Sequence, residues 1–444
     1  MIYFRKMTIV LACLVAPYAF ADSLVPTVLD LDMAITIALR DNPSIKAAEA
    51  RVVQAQARRA QARSAYLPAL DSSATASVTN LSRSALSANP LIADRTFENY
   101  ETSLLANWLV FDGLGRKFRT LAARSGLKGS QASLHEAQRL LLSGVATAFY
   151  TVQLARENIT IAEADREFNQ RQLTEAQARR RVGSGSLSDE LNFRVRVQTA
   201  ESAVVRADRD LRVARVVLLE LMGVSDAEAP ETLRVALLQQ EEPGLMRVPD
   251  VDPLMDHAEK ARPDMMEARY LKEQTEAGVK IERSQFFPTV AAFASGDARR
   301  GDNLYFEGDD IASTVGVSVR YNIFSGGRRR AAVREAQAAN EEVGYLVESI
   351  RIRVAAEVRR SLEILTAAQQ ELLIQRETTQ FVERNRELVE REYRSGQGSL
   401  VRLNEAQRDL IAQRGRLALA RVVLRQSWFD LKTATGETLE SIVD

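Results

Sequence analysis

The chain is written twice, and this duplication limits its fold more than any single motif does. Pro43 returns as Pro263, and Tyr66-Leu67-Pro68-Ala69-Leu70 returns as Phe286-Phe287-Pro288-Thr289-Val290, both 220 positions later. Val110-Phe111-Asp112-Gly113 returns as Ile323-Phe324-Ser325-Gly326, and Val182-Gly183 with Gly185-Ser186-Leu187 returns as Ser395-Gly396 with Gly398-Ser399-Leu400, 213 positions later. The second copy is thus seven residues shorter between its first and second landmarks. Solenoid repeats have periods of roughly 20 to 50 residues. One long unit copied once predicts instead two similar halves that become neighbours in a ring.

Residues 1–21 read as an export leader. Arg5 and Lys6 give a basic start, Met7 to Val15 an apolar run, and Ala19-Phe20-Ala21 a small-residue cleavage site. The alternative treats Val10-Leu11-Ala12-Cys13 as a lipid-attachment box. Cys13 is the only cysteine, so a chain beginning at Asp22 has neither a disulfide framework nor thiolate metal ligands. Basic and acidic residues number 59 each, and losing Arg5 and Lys6 leaves a balance of −2. No basic excess suggests nucleic acid. Beyond the leader no run approaches 18 apolar residues, which argues against a membrane-spanning helix. A soluble protein and an outer-membrane β-barrel, whose strands signal more weakly, both stay open. The domain reading is a first repeat over 22–223, an irregular connection over 224–252, a second repeat over 253–436 and a tail over 437–444.

Each repeat mixes helices with a strand pair. Leu31 to Arg40 reads as a short helix stopped by Asn42-Pro43. Ser44 to Ser64 is rich in helix formers and ends at Pro68. Asp71 to Leu81 is strand-like, and a polar loop with Asn89-Pro90 follows. From Asn99 to Val110 the chain alternates: Asn99, Glu101, Ser103 and Asn107 against Tyr100, Leu104, Ala106, Trp108 and Val110. The second copy has a shorter strand from Thr289 to Ser295 and an alternating one around Val315, Val317, Val319 and Tyr321. Four strands with one apolar and one polar face cannot close a barrel alone and need copies from other chains.

The helices are the larger portion. Gly115 to about Arg181 and Arg328 to about Arg394 contain no proline, and the last helix carries Leu403, Leu410, Leu417, Leu424 and Leu431 at strict seven-residue spacing. Sustained heptads predict coiled-coil packing. A helix of about 65 residues is roughly 100 Å long, which suits a body crossing a compartment. Gly183-Ser184-Gly185 and Gly396-Gln397-Gly398 predict two hairpin tips.

Taken in order, these pieces resemble the TolC family of outer-membrane channel proteins over nearly the whole mature chain. They are Ala38-Leu39-Arg40-Asp41-Asn42-Pro43, Leu67-Pro68, Val110-Phe111-Asp112-Gly113 and Arg181-Val182-Gly183 with Asp189. Their second-copy counterparts are Arg262-Pro263, Phe287-Pro288, Ile323-Phe324-Ser325-Gly326-Gly327 and Tyr393-Arg394-Ser395-Gly396 with Leu400. The resemblance implies a mixed α/β membrane protein. A homotrimer would form a twelve-stranded outer-membrane β-barrel, four strands per chain, continuous with a long helical barrel in the periplasm. It also implies an exit duct for type I protein secretion or small-molecule efflux. Its partners would be a periplasmic adaptor (a membrane fusion protein), an inner-membrane ABC or proton-driven transporter, and outer-membrane lipid. From a different class, the alternative is a structural or adhesive coiled-coil protein of the cell envelope.

The resemblance also assigns sites. Val182, Gly183, Ser184, Leu187, Ser395, Gly396 and Leu400 at the tips become the expected adaptor contact. Arg179-Arg180-Arg181 either belongs to it or is a solvated helix end. Asp189 and Tyr393 become a hydrogen-bonded gate, with Arg402 as a second partner for Asp189; the alternative is that Asp189 only caps its helix. TolC-like chains usually carry acids at the positions of Arg402 and Glu405, and here only Glu405 is acidic. The basic clusters Arg116-Lys117 and Arg328-Arg329-Arg330 each follow a strand leaving the membrane, so they are expected to reach lipid headgroups; the alternative is a plain solvated cluster. His135 and His257 read as surface histidines. No nucleophile–base pair or paired carboxylates stand in the sequence, so no enzyme and no cofactor is expected.

Overall fold

The computed structural model describes residues 28–82, 84, 96–224, 234–238, 243–301 and 303–438. The leader with Cys13, the Asn89-Pro90 loop and most of the C-terminal tail lie outside the described residues. The first half runs β1 (Val28–Leu29), α1 (Leu31–Asp41), α2 (Pro43–Ser64), β2 (Ala69–Asn80), β3 (Thr96–Phe111), α3 (Gly115–Arg181) and α4 (Leu187–Met222). After β4 (Arg234–Val235), the second half runs α5 (Val251–Ala261), α6 (Pro263–Ser284), β5 (Thr289–Arg300), β6 (Ile311–Arg320), α7 (Arg328–Arg394) and α8 (Leu400–Thr435). The copies match residue for residue along most of their length. Helices α3 and α7 are each 67 residues, α4 and α8 each 36, and α2 and α6 each 22.

Pro43 and Pro263 open α2 and α6, where the missing amide costs nothing and the fixed φ suits the helix. The residues before them fasten each short-helix pair to its own long hairpin. The Asn42 side-chain amide donates to the Leu221 carbonyl at 2.8 Å. Its copy, Arg262, donates to the Ala434 carbonyl at 3.1 Å, and Ala434 is the copy of Leu221. Arg262 is 1% exposed. It also holds Asp264 with two bonds (3.0 and 2.8 Å) and Glu357 with one. A buried charge costs several kcal/mol unless it is paired in this way.

Helix α3 packs against α2 and α6 along its strand-proximal stretch and against α4 and α8 beyond; α7 packs against α6 and α8 in turn. The helices thus form one continuous layer, with the flanks of α4 and α7 at its edges carrying exposed Val195, Val205, Ile374 and Phe381. The connection between repeats is more ordered than its prolines suggest. β4 pairs in parallel with β1, and Gln153 and Arg156 of α3 donate to the carbonyls of Ala236 and Val235. In the second copy, Gln369 and Trp428 both donate to the Leu245 carbonyl.

The four long strands form one antiparallel sheet in the order β2-β3-β5-β6. Its register sorts the side chains by polarity. Leu70, Ala106, Ala294 and Val315 are cross-strand partners on one face, as are Trp108, Ala292 and Val317; Ser73, Ser103 and Asp297 align on the other, as do Glu101 and Arg299. Glu101 and Arg299 meet at 2.9 Å. Two sequence expectations are corrected. β5 extends to Arg300 because Gly296 and Asp297 pair with Leu104 and Ser103. Val110 is a bulge between Leu109 and Phe111, so Phe111, not Val110, continues the apolar face. On the polar face, the Phe293 ring fills the space beside Gly316, where an added Cβ would lie 2.7 Å from it.

The strand-to-helix joints correct a third expectation. Arg116 and Arg329 are buried, not at a lipid surface. Arg116 donates to the carbonyls of Val110 (2.7 Å) and Ala65 (3.3 Å) and lies 4.9 Å over the Tyr66 ring. Its copy Arg329 donates to the Asn322 carbonyl and lies 5.8 Å from the Phe286 ring. Strand-end carbonyls and an aromatic face outweigh an unfavourable helix dipole here. Lys117, Arg328 and Arg330 remain exposed.

Burial alone raises the Asp264 pKa, but the bonds from Arg262 and Arg353 outweigh it and hold the carboxyl below its ordinary value. Its stabilisation is therefore full above the unfolded pKa of about 3.9 and is lost as pH falls through the lower folded value. Acid unfolding followed by circular dichroism should show this loss below about pH 4. Asp264→Asn should be less stable than wild type at pH 7, and its deficit should shrink on acidification.

Candidate functional site

The ends of the two helical hairpins, far from the sheet, are built alike. Val182 caps the end of helix α3, its amide donating to the Ala178 carbonyl, and Gly183 takes φ +77°. The Ser184 and Gly185 amides both return to the Arg179 carbonyl, at 2.9 and 3.1 Å. At the second tip Gly396 takes φ +79°, and the Gln397 and Gly398 amides return to the Glu392 carbonyl, both at 2.9 Å. Glycine adopts this left-handed conformation without penalty. Ser186 and Ser399 then cap the next helices, their hydroxyls accepting from the Asp189 and Arg402 amides at 3.0 and 3.3 Å.

One apolar cluster joins the hairpins just behind the tips. It includes Phe168, Leu173, Phe193 and Val197 from the first and Val389, Tyr393, Leu403 and Ala406 from the second. The Phe193 and Tyr393 rings meet edge to face at 6.3 Å. A polar lattice surrounds the cluster. Gln407 donates to Asp165 at 2.8 Å, Arg394 meets Glu175 at 2.9 Å, and Asn404 donates to Asn192 at 3.1 Å. Arg386 stacks over Phe168 at 4.6 Å while pairing with Glu390 at 3.0 Å.

Val182, Gly183, Ser184, Leu187, Ser395 and Gly396 are exposed at the tips, and Leu400 packs half-buried against the cluster. Asp189 lies near enough to Tyr393 to act on it electrostatically. Burial first, and then the Asp189 carboxylate, push the Tyr393 phenol above its ordinary value, while Arg179, 5.2 Å from the ring, opposes them. Asp189 sits at the third helical position behind the Ser186 cap. Arg402 pairs with Glu392 at 3.1 Å, and Glu405 is exposed one turn further along α8. His135 contacts Gln138 at 3.1 Å.

Sequence reasoning missed Glu190. Arg180 and Arg194 grip it at 2.7 and 3.1 Å, and the Arg180 bond leads in holding its carboxyl below the ordinary value. Its only sequence signal is an acid at the position where the second copy has the buried Leu403. The lattice across the hairpins was also missed, because its members lie some 212 to 242 residues apart. Among the described residues no cluster of His, Cys, Asp and Glu is arranged to hold a metal ion, and no helix is long and apolar enough to cross a membrane.

Known proteins share this architecture. The family model described as outer membrane efflux protein matches residues 34–224 and 254–437. The pyoverdine export outer membrane protein OpmQ of Pseudomonas aeruginosa is 26% identical over 417 residues, covering 92% of this chain and 85% of that protein. The outer membrane protein TolC of Escherichia coli is 24% identical over 388 residues, covering 85% of this chain and 76% of its own. The structure of the Campylobacter jejuni CmeC outer membrane channel superposes with a TM-score of 0.81 at 18% identity, covering 93% of this chain and 88% of that one.

The cluster behind the tips should dominate their stability. Phe168→Ala should cost about 3–5 kcal/mol, whereas Arg394→Ala, which removes an exposed ion pair, should cost about 0.2–1 kcal/mol. Limited trypsin cleavage at Arg179 to Arg181 should accelerate strongly in the first variant and little in the second.

Proposed function

The chain belongs to the outer membrane efflux protein family, and we propose that three copies of it close into one duct that crosses the outer membrane and the periplasm. It is an outer-membrane export channel. One observation carries the trimeric reading: a sheet sorted into apolar and polar faces, with both edges open, runs directly into the long helices. A single chain with four strands leaves both sheet edges unpaired, and in hydrocarbon an unpaired backbone group costs several kcal/mol. Three chains give twelve strands and a closed ring. The apolar face meets lipid, the polar face lines the lumen, and the helices continue the ring into the periplasm.

The hairpin tips are then the end that meets a periplasmic adaptor and, through it, an inner-membrane transporter. Exposed small and apolar residues at Val182, Ser184, Leu187 and Ser395 suit a shallow contact with a partner helix. The cluster behind them holds the tips together and closes the tunnel. Asp189 and Tyr393 belong to that closure, the carboxylate drawing the phenol towards it when neighbouring hairpins approach. Relatives include both a pyoverdine export protein and an alkaline protease secretion protein, so the duct serves small-molecule efflux or type I protein secretion.

Two experiments test this reading. Asp189→Ala with Tyr393→Phe should raise single-channel conductance in a planar bilayer well above wild type; unchanged conductance with an intact oligomer would remove these residues from the gate. A charge placed at Leu104 or Val317 should cost about 2–4 kcal/mol near the bilayer midplane, while the same charge at Ser103 or Ser318 should be tolerated. Folding yields into lipid vesicles separate the two faces, and equal losses would count against the barrel.

A further inference from the structure

The two strand hairpins are superposable pair for pair. Ala69 opposes Asn107 as Thr289 opposes Arg320, Leu70 opposes Ala106 as Val290 opposes Val319, and Val78 opposes Glu98 as Ala298 opposes Ile311. Every one of these correspondences is the same pair of offsets, 220 for the outgoing strand and 213 for the returning one. The chain therefore already contains one complete junction between a first and a second hairpin, the β3–β5 seam. It lacks only the junction that leads from β6 to the next β2.

We infer that this missing junction, between β6 of one chain and β2 of a second copy, repeats the register of the β3–β5 seam. The inference rests on the ring-forming reading above. Carrying the observed pairs through the two offsets places Val317 opposite Ala76 of the partner subunit, Ser318 opposite the partner's Thr75, Val319 opposite the partner's Ala74 and Arg320 opposite the partner's Ser73. Nothing in the arithmetic forces chemistry to agree, yet it does. Valines meet alanines on the apolar face, and serine and arginine meet hydroxyls on the polar one. A slip of one residue would put every valine against a polar partner.

The same neighbouring copy accounts for two features of the single chain. β6 stops at Arg320, although its counterpart β3 continues to Phe111. The residues just beyond it, Ile323 and Phe324, are 89% and 84% exposed. They are the copies of the bulge residue Val110 and of Phe111, which pairs with Val290. The partner subunit's β2 thus extends β6 to Phe324, opposite the partner's Leu70, with Ile323 as its bulge. In the helices, Phe168 is 2% exposed beneath the second hairpin, whereas its copy Phe381 is 65% exposed. Phe381 lies where the first hairpin of a neighbour would cover it.

Disulfide trapping in cells tests the register. Directly opposed residues in an antiparallel pair have Cα atoms about 4.5–5.5 Å apart, within the roughly 4.4–6.8 Å of a disulfide, while diagonal neighbours lie at about 7–8 Å. The chain carrying Ser318→Cys and Thr75→Cys should give reducible, covalently linked oligomers. Ser318→Cys with Ser73→Cys or with Ser77→Cys should give at least about tenfold less. Leu105→Cys with Ser295→Cys, the matching pair inside one chain, shows that the oxidant reaches this depth. Strong linkage from a shifted pair, or none from any pair in an oligomer whose internal control forms, overturns the register while leaving the ring. A chain that migrates as a monomer in mild detergent overturns the ring reading itself, and the register with it.

Discussion

Backbone amides and carbonyls inside a hydrocarbon layer can bond only to one another. For this chain the constraint falls on two strands. β3 and β5 are paired on both sides, while β2 and β6 are each paired on one. A sheet of this kind is stable in a membrane only when its edges meet, and four strands are too few to curl onto themselves. The requirement passes down the molecule, because each strand pair continues through a tight joint into a helix of 67 residues. The arginine joints at Arg116 and Arg329 make that transmission stiff. Each binds the end of a strand and the ring of a neighbouring segment with one side chain, so each ties a strand end to the start of its helix.

Duplication supplies the rest of the geometry from little additional sequence information. Asn42 and Arg262 perform one task, fastening a helix junction to the last turn of a hairpin, with different chemistry. The asparagine is neutral and needs one carbonyl. The arginine is charged and buried, so it has drawn Asp264 and Glu357 around it. Similar asymmetry appears near the tips, where Glu190 stands between two arginines and its copy Leu403 is apolar. The two halves of the wall are thus alike in backbone and unequal in polarity.

The element boundaries were legible in the sequence because local chemistry sets them. Pro43, Pro263, Gly183 and Gly396 act within a few residues of themselves, and the helices break where they stand. The strand faces were mostly legible for the same reason. What failed was decided by partners far away in the chain. Val110 alternates correctly but bulges because β5 pairs past it. Gly296 and Asp297 look like a strand end, yet the long β3 holds them in the ladder. Arg116 and Arg329 read as membrane-surface cations because nothing nearby reveals the carbonyls and rings they bind. At the candidate site, exposure of the tip glycines and serines followed from the turn motif, while the Phe168–Arg386 stack and the Gln407–Asp165 bond depend on two hairpins lying side by side.

The mass of the protein extracted intact from the outer membrane tests the central claim most directly. Native mass spectrometry, with the detergent removed in the gas phase, counts chains without assuming a shape. A single species of three chains agrees with a twelve-strand ring. A monomer, a dimer, or a mixture of sizes without a dominant trimer would contradict it.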